Sequence, residues 1–63
     1  MQNITNMELQ NIRYLLVEEQ VMANKTRFFS QQVSNPQLRD FLNQESQQAE
    51  QNVQRLSQFV SGY

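Results

Sequence analysis

The stretch VSNPQLRDFL, residues 33–42, contains the single proline of the chain and decides its architecture. Asn35 can accept hydrogen bonds from the free amides at the start of a helix, and Pro36 suits the first helical position because no amide hydrogen bond is needed there. Pro36 also disfavours helical backbone geometry at Asn35. The stretch therefore predicts that one helix ends near Val33 or Ser34 and that a second helix begins at Pro36.

Sequence signals near the two ends of the chain mark the start of helix 1 and the end of helix 2. Thr5 and Glu8, in the sequence TNME, have the spacing of a capping box, in which each side chain binds the backbone amide of the other residue. Gly62 is a typical C-terminal stop. We therefore predict helix 1 over about residues 6–33 and helix 2 over about residues 36–61. Because the connection between them is short, the predicted fold is an all-α antiparallel hairpin.

Apolar residues recur at helical spacing in both predicted helices. Helix 2 has one core-facing stripe, which Glu45 and Asn52 interrupt. Its members are Leu38, Phe41, Leu42, Ala49, Val53, Leu56, Phe59 and Val60. Helix 1 has a main face, which Glu19 and Thr26 interrupt. Its members are Ile12, Leu15, Leu16, Met22, Ala23, Phe29 and Val33.

A second apolar cluster, the back stripe, lies nearly opposite the main face of helix 1. It consists of Tyr14, Val17, Val21 and Phe28. One hairpin partner cannot cover both sides of helix 1, so these residues are either scattered surface residues or an interface, and their alignment favours an interface. Two hairpins related by a two-fold axis would close a four-helix bundle, most simply as a homodimer. The predicted interface residues are Tyr14, Val17, Val21, Phe28, Leu42, Leu56 and Phe59.

Length and composition exclude several classes of protein. The chain has 63 residues, a formal net charge of -1 and no Cys or His. It therefore forms a single domain, residues 1–63, with a marginal core, and association is the ordinary way to stabilise it. The scattered basic residues form no patch that could follow nucleic acid phosphates. We expect no membrane span and no cofactor, and the N-terminus has no visible secretory signal.

Carboxylates are the remaining candidates for chemistry, because a chain without Cys or His lacks the usual nucleophile and base pairs. A dimer of the hairpin would bring two copies of Glu19 and Glu45 together, as in ferritin-like bundles, with Gln48 where such bundles have a histidine. Glu19 and Glu45 are therefore weak candidates for metal ligands. The alternative is that both are polar interruptions that point outward or accept hydrogen bonds from Asn52, Thr26 or Gln48. We expect no metal and no enzymatic activity.

A longer pattern, LLVEEQVMANKTRFFSQQVSNPQLRDFLNQESQQAEQNVQRLSQFV, resembles the spore coat F family of spore-forming Firmicutes. The residues that carry the resemblance are Leu15, Leu16, Glu18, Glu19, Ser34, Asn35, Pro36, Leu38, Arg39, Phe41, Leu42, Leu56 and Phe59. The resemblance implies a ferritin-like helical hairpin and a non-enzymatic role in the spore coat. It also implies synthesis in the cytoplasm of the mother cell and other coat proteins as partners.

Three functional hypotheses follow from the sequence. The first is a small structural or assembly protein that acts as a homo-oligomeric helical bundle. The second is a degenerate ferritin-like metal-binding protein that uses Glu19 and Glu45. The third is an interaction module that presents the back stripe to the helices of another protein.

Overall fold

The computed structural model of the protein describes residues 3–61. It contains two helices, α1 (Asn6–Ser30) and α2 (Pro36–Val60), which pack against each other as a hairpin. The Cα atoms span 46 × 16 × 12 Å, so the molecule is one helix thick and both of its broad sides are open. This confirms the predicted all-α hairpin, whereas the predicted stop at Gly62 lies outside the described residues.

The start of α1 is the predicted capping box. The Thr5 hydroxyl accepts a hydrogen bond from the Glu8 amide at 3.1 Å, and the Thr5 amide donates to Glu8 Oε1 at 3.0 Å. Hydrogen bonding to the Glu8 carboxyl, chiefly by the Thr5 amide and then by the Thr5 hydroxyl, holds its pKa below its ordinary value because it favours the charged form. The capping box therefore holds the exposed first turn of α1.

The turn between the helices differs from the prediction at one point, because α1 ends at Ser30 rather than near Val33. The Gln31 and Gln32 amides donate to the carbonyls of Phe28 and Phe29 at 3.2 and 3.0 Å, which tightens the last turn and leaves residues 31–35 to reverse the chain.

Asn35 has extended backbone geometry and caps α2 as predicted. Its side chain accepts a hydrogen bond from the Leu38 amide at 2.9 Å. The Arg39 guanidinium donates to the Val33 carbonyl at 3.0 Å, and this bond ties α2 back to the turn. Local side-chain chemistry therefore fixes where α2 begins.

The contact between the helices, called the seam, follows a strict alternation of three- and four-residue steps, as in a coiled coil. The buried or half-buried residues that form it on α1 are Leu9, Ile12, Leu16, Glu19, Ala23, Thr26 and Ser30. Those on α2 are Leu42, Ser46, Ala49, Val53, Leu56 and Val60.

Small residues form most of the end of the seam nearest the turn, where Leu42 is the exception. Ala23 is fully buried, and the Ser46 hydroxyl donates to the Ala23 carbonyl of the other helix at 3.2 Å. The buried hydroxyls of Thr26 and Ser30 donate to carbonyls of their own helix. Side chains this small let the two helix backbones approach closely, whereas aliphatic residues fill the seam towards the termini.

The seam is narrower than the apolar faces predicted from the sequence. On α1, Leu15, Met22 and Phe29 belong to the predicted main face but are about half exposed. On α2, Leu38, Phe41 and Phe59 are also exposed. The prediction that these residues face the hairpin core was wrong, because one partner helix covers only two rows of side chains. Leu9 and Ser46 belong to neither predicted apolar face, yet both are buried.

Candidate association surfaces

Rows of residues on either side of the seam define two broad faces of the hairpin. One of them, the polar face, carries side chains that recur every seven residues on each helix along one side of the seam. These residues are Arg13, Gln20, Arg27, Asn43, Glu50 and Ser57. Arg27 and Glu50 form an ion pair across this face, which shows that the two rows lie on the same side. Both side chains are about half exposed, so the pair contributes little to stability.

The opposite broad face, the front face, carries side chains that recur every seven residues on each helix along the other side of the seam. These residues are Leu15, Met22, Phe29, Leu38, Glu45, Asn52 and Phe59. The side-chain amide of Asn52 donates to Glu19 Oε2 at 3.3 Å, which joins the helices on this side. Unlike the polar face, the front face exposes large hydrophobic side chains on both helices, and Phe41 lies beside them.

The back stripe is also exposed. Val17 is 64% exposed, and Tyr14, Val21 and Phe28 are each more than two-fifths exposed. The ring of Phe28 lies 5.8 Å from that of Phe29, centroid to centroid, so the back stripe adjoins the front face at the end of α1. The hairpin itself therefore leaves these side chains uncovered.

The predicted interface residues do not form one surface. Tyr14, Val17, Val21 and Phe28 form the back stripe, and Phe59 is exposed on the front face. Leu42 and Leu56 are half-buried in the seam, where they serve the core of the hairpin. That the exposed residues form an interface stays a prediction.

The two candidate carboxylates occupy different environments. Glu19 is half-buried in the seam and accepts the hydrogen bond from Asn52, whereas Glu45 is exposed on the front face. Gln48 donates to the side-chain oxygen of Asn52 at 3.3 Å, which orients the Asn52 amide towards Glu19. Glu19 is thus a hydrogen-bonded polar member of the seam, with one of the donors that the sequence suggested.

Two features that often mark a chemical site are absent from the part of the chain that the structure describes. Among residues 3–61, no group of three or more Asp, Glu, His or Cys side chains is placed to hold a metal ion. Every buried side-chain nitrogen or oxygen in this range has a hydrogen-bond partner, so none is left directed at a ligand. The candidate functional features of the hairpin are therefore its apolar surfaces.

Neither α1 nor α2 combines the length and the apolar character that crossing a membrane requires. Comparisons with protein-family models, with curated proteins and with solved structures find no match.

Proposed function

We propose that the protein is a small non-enzymatic structural or assembly protein whose copies associate into a helical bundle. The distribution of its hydrophobic residues carries this proposal. Within residues 3–61, three hydrophobic residues are buried, whereas eleven large hydrophobic side chains are at least 42% exposed. Exposed apolar surface of this extent is typical of interaction surfaces.

The stability of the isolated hairpin points in the same direction. A single layer of two helices has a small core, and chains of this size are marginally stable on their own. Covering exposed apolar surface contributes roughly 25 cal/mol for each Å² removed from water. Association therefore supplies the stabilisation that the seam lacks.

A second copy of the same chain is the partner that fits these features. The formal net charge is -1, so little repulsion opposes the close packing of copies. Hairpins with one apolar broad face close four-helix bundles through a two-fold axis. The back stripe adjoins the front face at Phe28 but otherwise lies on a different side of α1, and it gives such a bundle a further surface on which to assemble.

The residues that resemble the spore coat F family extend the proposal to a place of action. A structural unit of this kind would be made in the mother cell and packed with other proteins in the spore coat. The non-enzymatic part rests on composition, because a chain without Cys or His has few groups suited to nucleophilic or acid–base catalysis.

Sedimentation equilibrium and thermal unfolding test the self-association. We expect a species no smaller than a dimer at micromolar concentration and a melting temperature that rises with protein concentration, because folding and association are linked. A cooperatively folded monomer whose melting temperature is independent of concentration would contradict the proposal. That result would leave the exposed surfaces as docking sites for a different protein.

A further inference from the structure

We propose that two copies join through their front faces about a two-fold axis, with α1 antiparallel to α1 of the second copy and α2 antiparallel to α2 of the second copy. Glu18 of each copy then pairs with Lys25 of the other. This inference rests on the proposed self-association and specifies its geometry. It identifies the front face, rather than the back stripe, as the surface that closes the four-helix bundle.

The front-face residues of α1, called the α1 row, are Leu15, Met22 and Phe29. This row is self-complementary about its centre. A two-fold contact requires that, if one residue faces another, the second faces the first. With Met22 on the axis, Leu15 faces Phe29 of the second copy and Phe29 faces Leu15. All three side chains are about half exposed in the hairpin, so the contact covers surface that the seam leaves open.

The front-face residues of α2, called the α2 row, are also self-complementary about their centre. With the axis midway between Glu45 and Asn52, Leu38 faces Phe59 of the second copy. Glu45 then faces Asn52 of the second copy, which places a hydrogen-bond acceptor against an amide that can donate a second bond. When the α2 row meets its antiparallel copy, apolar residues therefore face apolar residues and polar residues face polar ones.

One axis can serve both helices only if the two centres lie at the same height along the hairpin. The Ser46–Ala23 hydrogen bond lies on one side of Met22, and the Asn52–Glu19 bond lies on the other. These bonds place Met22 level with the segment of α2 between residues 46 and 52, which contains the midpoint of the α2 row. The geometry of the hairpin thus satisfies this condition.

Charges beside the α1 row support the antiparallel pairing. Glu18 and Lys25 are exposed and lie at nearly equal distances along the chain from Met22, on the outer side of the front row. An antiparallel α1 pair places each of them opposite its counter-charge, whereas a parallel pair would set like charges against each other. Neither residue has a charged side chain three or four positions away, so both are free of competing pairs along the helix.

A different two-fold axis, parallel to the helices, would set α1 against α2 of the second copy. Met22 would then face the level of Glu45 and Asn52 of that copy, and an apolar side chain would meet polar ones. The proposed arrangement instead sets the apolar α1 rows against each other and groups the polar side chains between the α2 helices. This separation favours the pairing of like helices.

The area of the front face is sufficient for a specific contact. Six exposed side chains contribute to it: Leu15, Met22, Phe29, Leu38, Phe41 and Phe59. If each loses roughly 100 Å², about half of what a large side chain buries, the two copies together lose about 1,200 Å². That is the lower bound of stable protein interfaces, and it fits a reversible dimer.

Charge reversal with recombination tests the arrangement. We expect Glu18→Lys and Lys25→Glu each to weaken the dimer about tenfold or more at low salt, because each replaces two attractive pairs by two repulsive ones. An equimolar mixture of the two variants should dimerise at least as well as the wild type, since positions 18 and 25 are then both basic on one chain and both acidic on the other. The chain that carries both changes should also regain wild-type affinity. Arg13→Glu, an equal charge change on the polar face, is the matched control and should leave the dissociation constant unchanged.

Sedimentation equilibrium of the single variants and of the mixture gives the dissociation constants. If the mixture is no tighter than either variant alone, α1 does not pair with α1 and the proposal is wrong. Wild-type affinity in every variant would also overturn it, while the proposed self-association would stand. A wild-type chain that is monomeric at all concentrations would overturn both.

Discussion

The front face and the polar face of the hairpin differ in the kind of side chain that each exposes to water. The polar face carries charged and amide side chains suited to water, with the Arg27–Glu50 ion pair across it. On the front face, Leu15, Met22 and Phe29 stand about half exposed. Both faces flank the same seam, so the difference lies in the side chains and not in the backbone. A single chain therefore leaves large apolar side chains exposed to water on the front face, whereas the polar face exposes side chains that water solvates well.

The largest effect is expected from a charge in the middle of the front face. Met22→Glu would place two carboxylates next to each other at the proposed two-fold axis, where burial removes them from water. We expect the dimer to weaken by about 100-fold or more and the melting temperature to fall with it. Sedimentation equilibrium and circular dichroism measure the two quantities.

Gln20→Glu is the matched control, because it adds the same charge to an exposed position on the polar face of the same helix. It should change neither quantity measurably. Equal losses in the two variants would mean that both faces are buried in the assembly, and the contrast between them would disappear.

The back stripe gives the next largest effect, which concerns assembly beyond the dimer. In the proposed bundle this stripe points away from the front-face contact. We expect the double substitution Val21→Glu and Phe28→Glu to leave the dimer intact and to remove the larger species that form at high concentration. Sedimentation velocity across a concentration series detects both.

Loss of the dimer itself in this double variant would place the primary contact on the back stripe. Unchanged size distributions and an unchanged melting temperature would show instead that the stripe is ordinary surface. Val17, the most exposed residue of the stripe, offers an independent single substitution to glutamate at the same surface.

Much of the fold could be predicted from the sequence because its signals are local. Thr5, Glu8 and Asn35 fix the helix starts through hydrogen bonds to neighbouring residues, and these bonds form as expected. Pro36 occupies the first helical position, where no amide hydrogen bond is needed. The earlier end of α1 depends on how residues 31–35 reverse the chain, which capping patterns do not encode.

The width of the seam was not predictable by the same means. A helical wheel assigns Leu15 and Leu16 to one apolar face, but only the approach of α2 decides that Leu16 is half-buried and Leu15 exposed. Ser46 is polar and belongs to no predicted apolar face, yet it is buried and its hydroxyl donates to the Ala23 carbonyl of α1. The three- and four-residue steps that run from Leu9 to Ser30 could have revealed the seam, because they continue through its polar members.

A smaller effect, of opposite sign, is expected at Glu45. Glu45→Leu joins the apolar parts of the α2 row and removes a carboxylate from the front face. Replacing a poorly compensated polar group at an interface by a hydrophobic one is often neutral or stabilising. We therefore expect equal or tighter dimerisation and an equal or higher melting temperature.

Gln44→Leu is the control for Glu45→Leu, because it adds the same side chain at an exposed position beside it on α2. It should leave the dimer affinity unchanged. If Glu19 and Glu45 bind metal, Glu45→Leu should instead lower the melting temperature. Elemental analysis of the wild type would then show near-stoichiometric metal, and Glu45→Leu would lose it and melt several degrees lower.

The smallest effect is expected on the polar face. Arg27 and Glu50 form the ion pair there, but the side chains are 51% and 44% exposed, so water and salt screen it. We expect Glu50→Gln to lower the free energy of unfolding by about 0.5 kcal/mol or less, which corresponds to a fall in melting temperature of about 4 °C at most for a domain of this size. Even that difference should vanish at high salt, and the dimer dissociation constant should not change. A loss of dimer affinity comparable to that of Met22→Glu would show that the polar face also contacts a partner. The hairpin would then have two interfaces, one apolar and one polar, and neither broad face would be left to solvent.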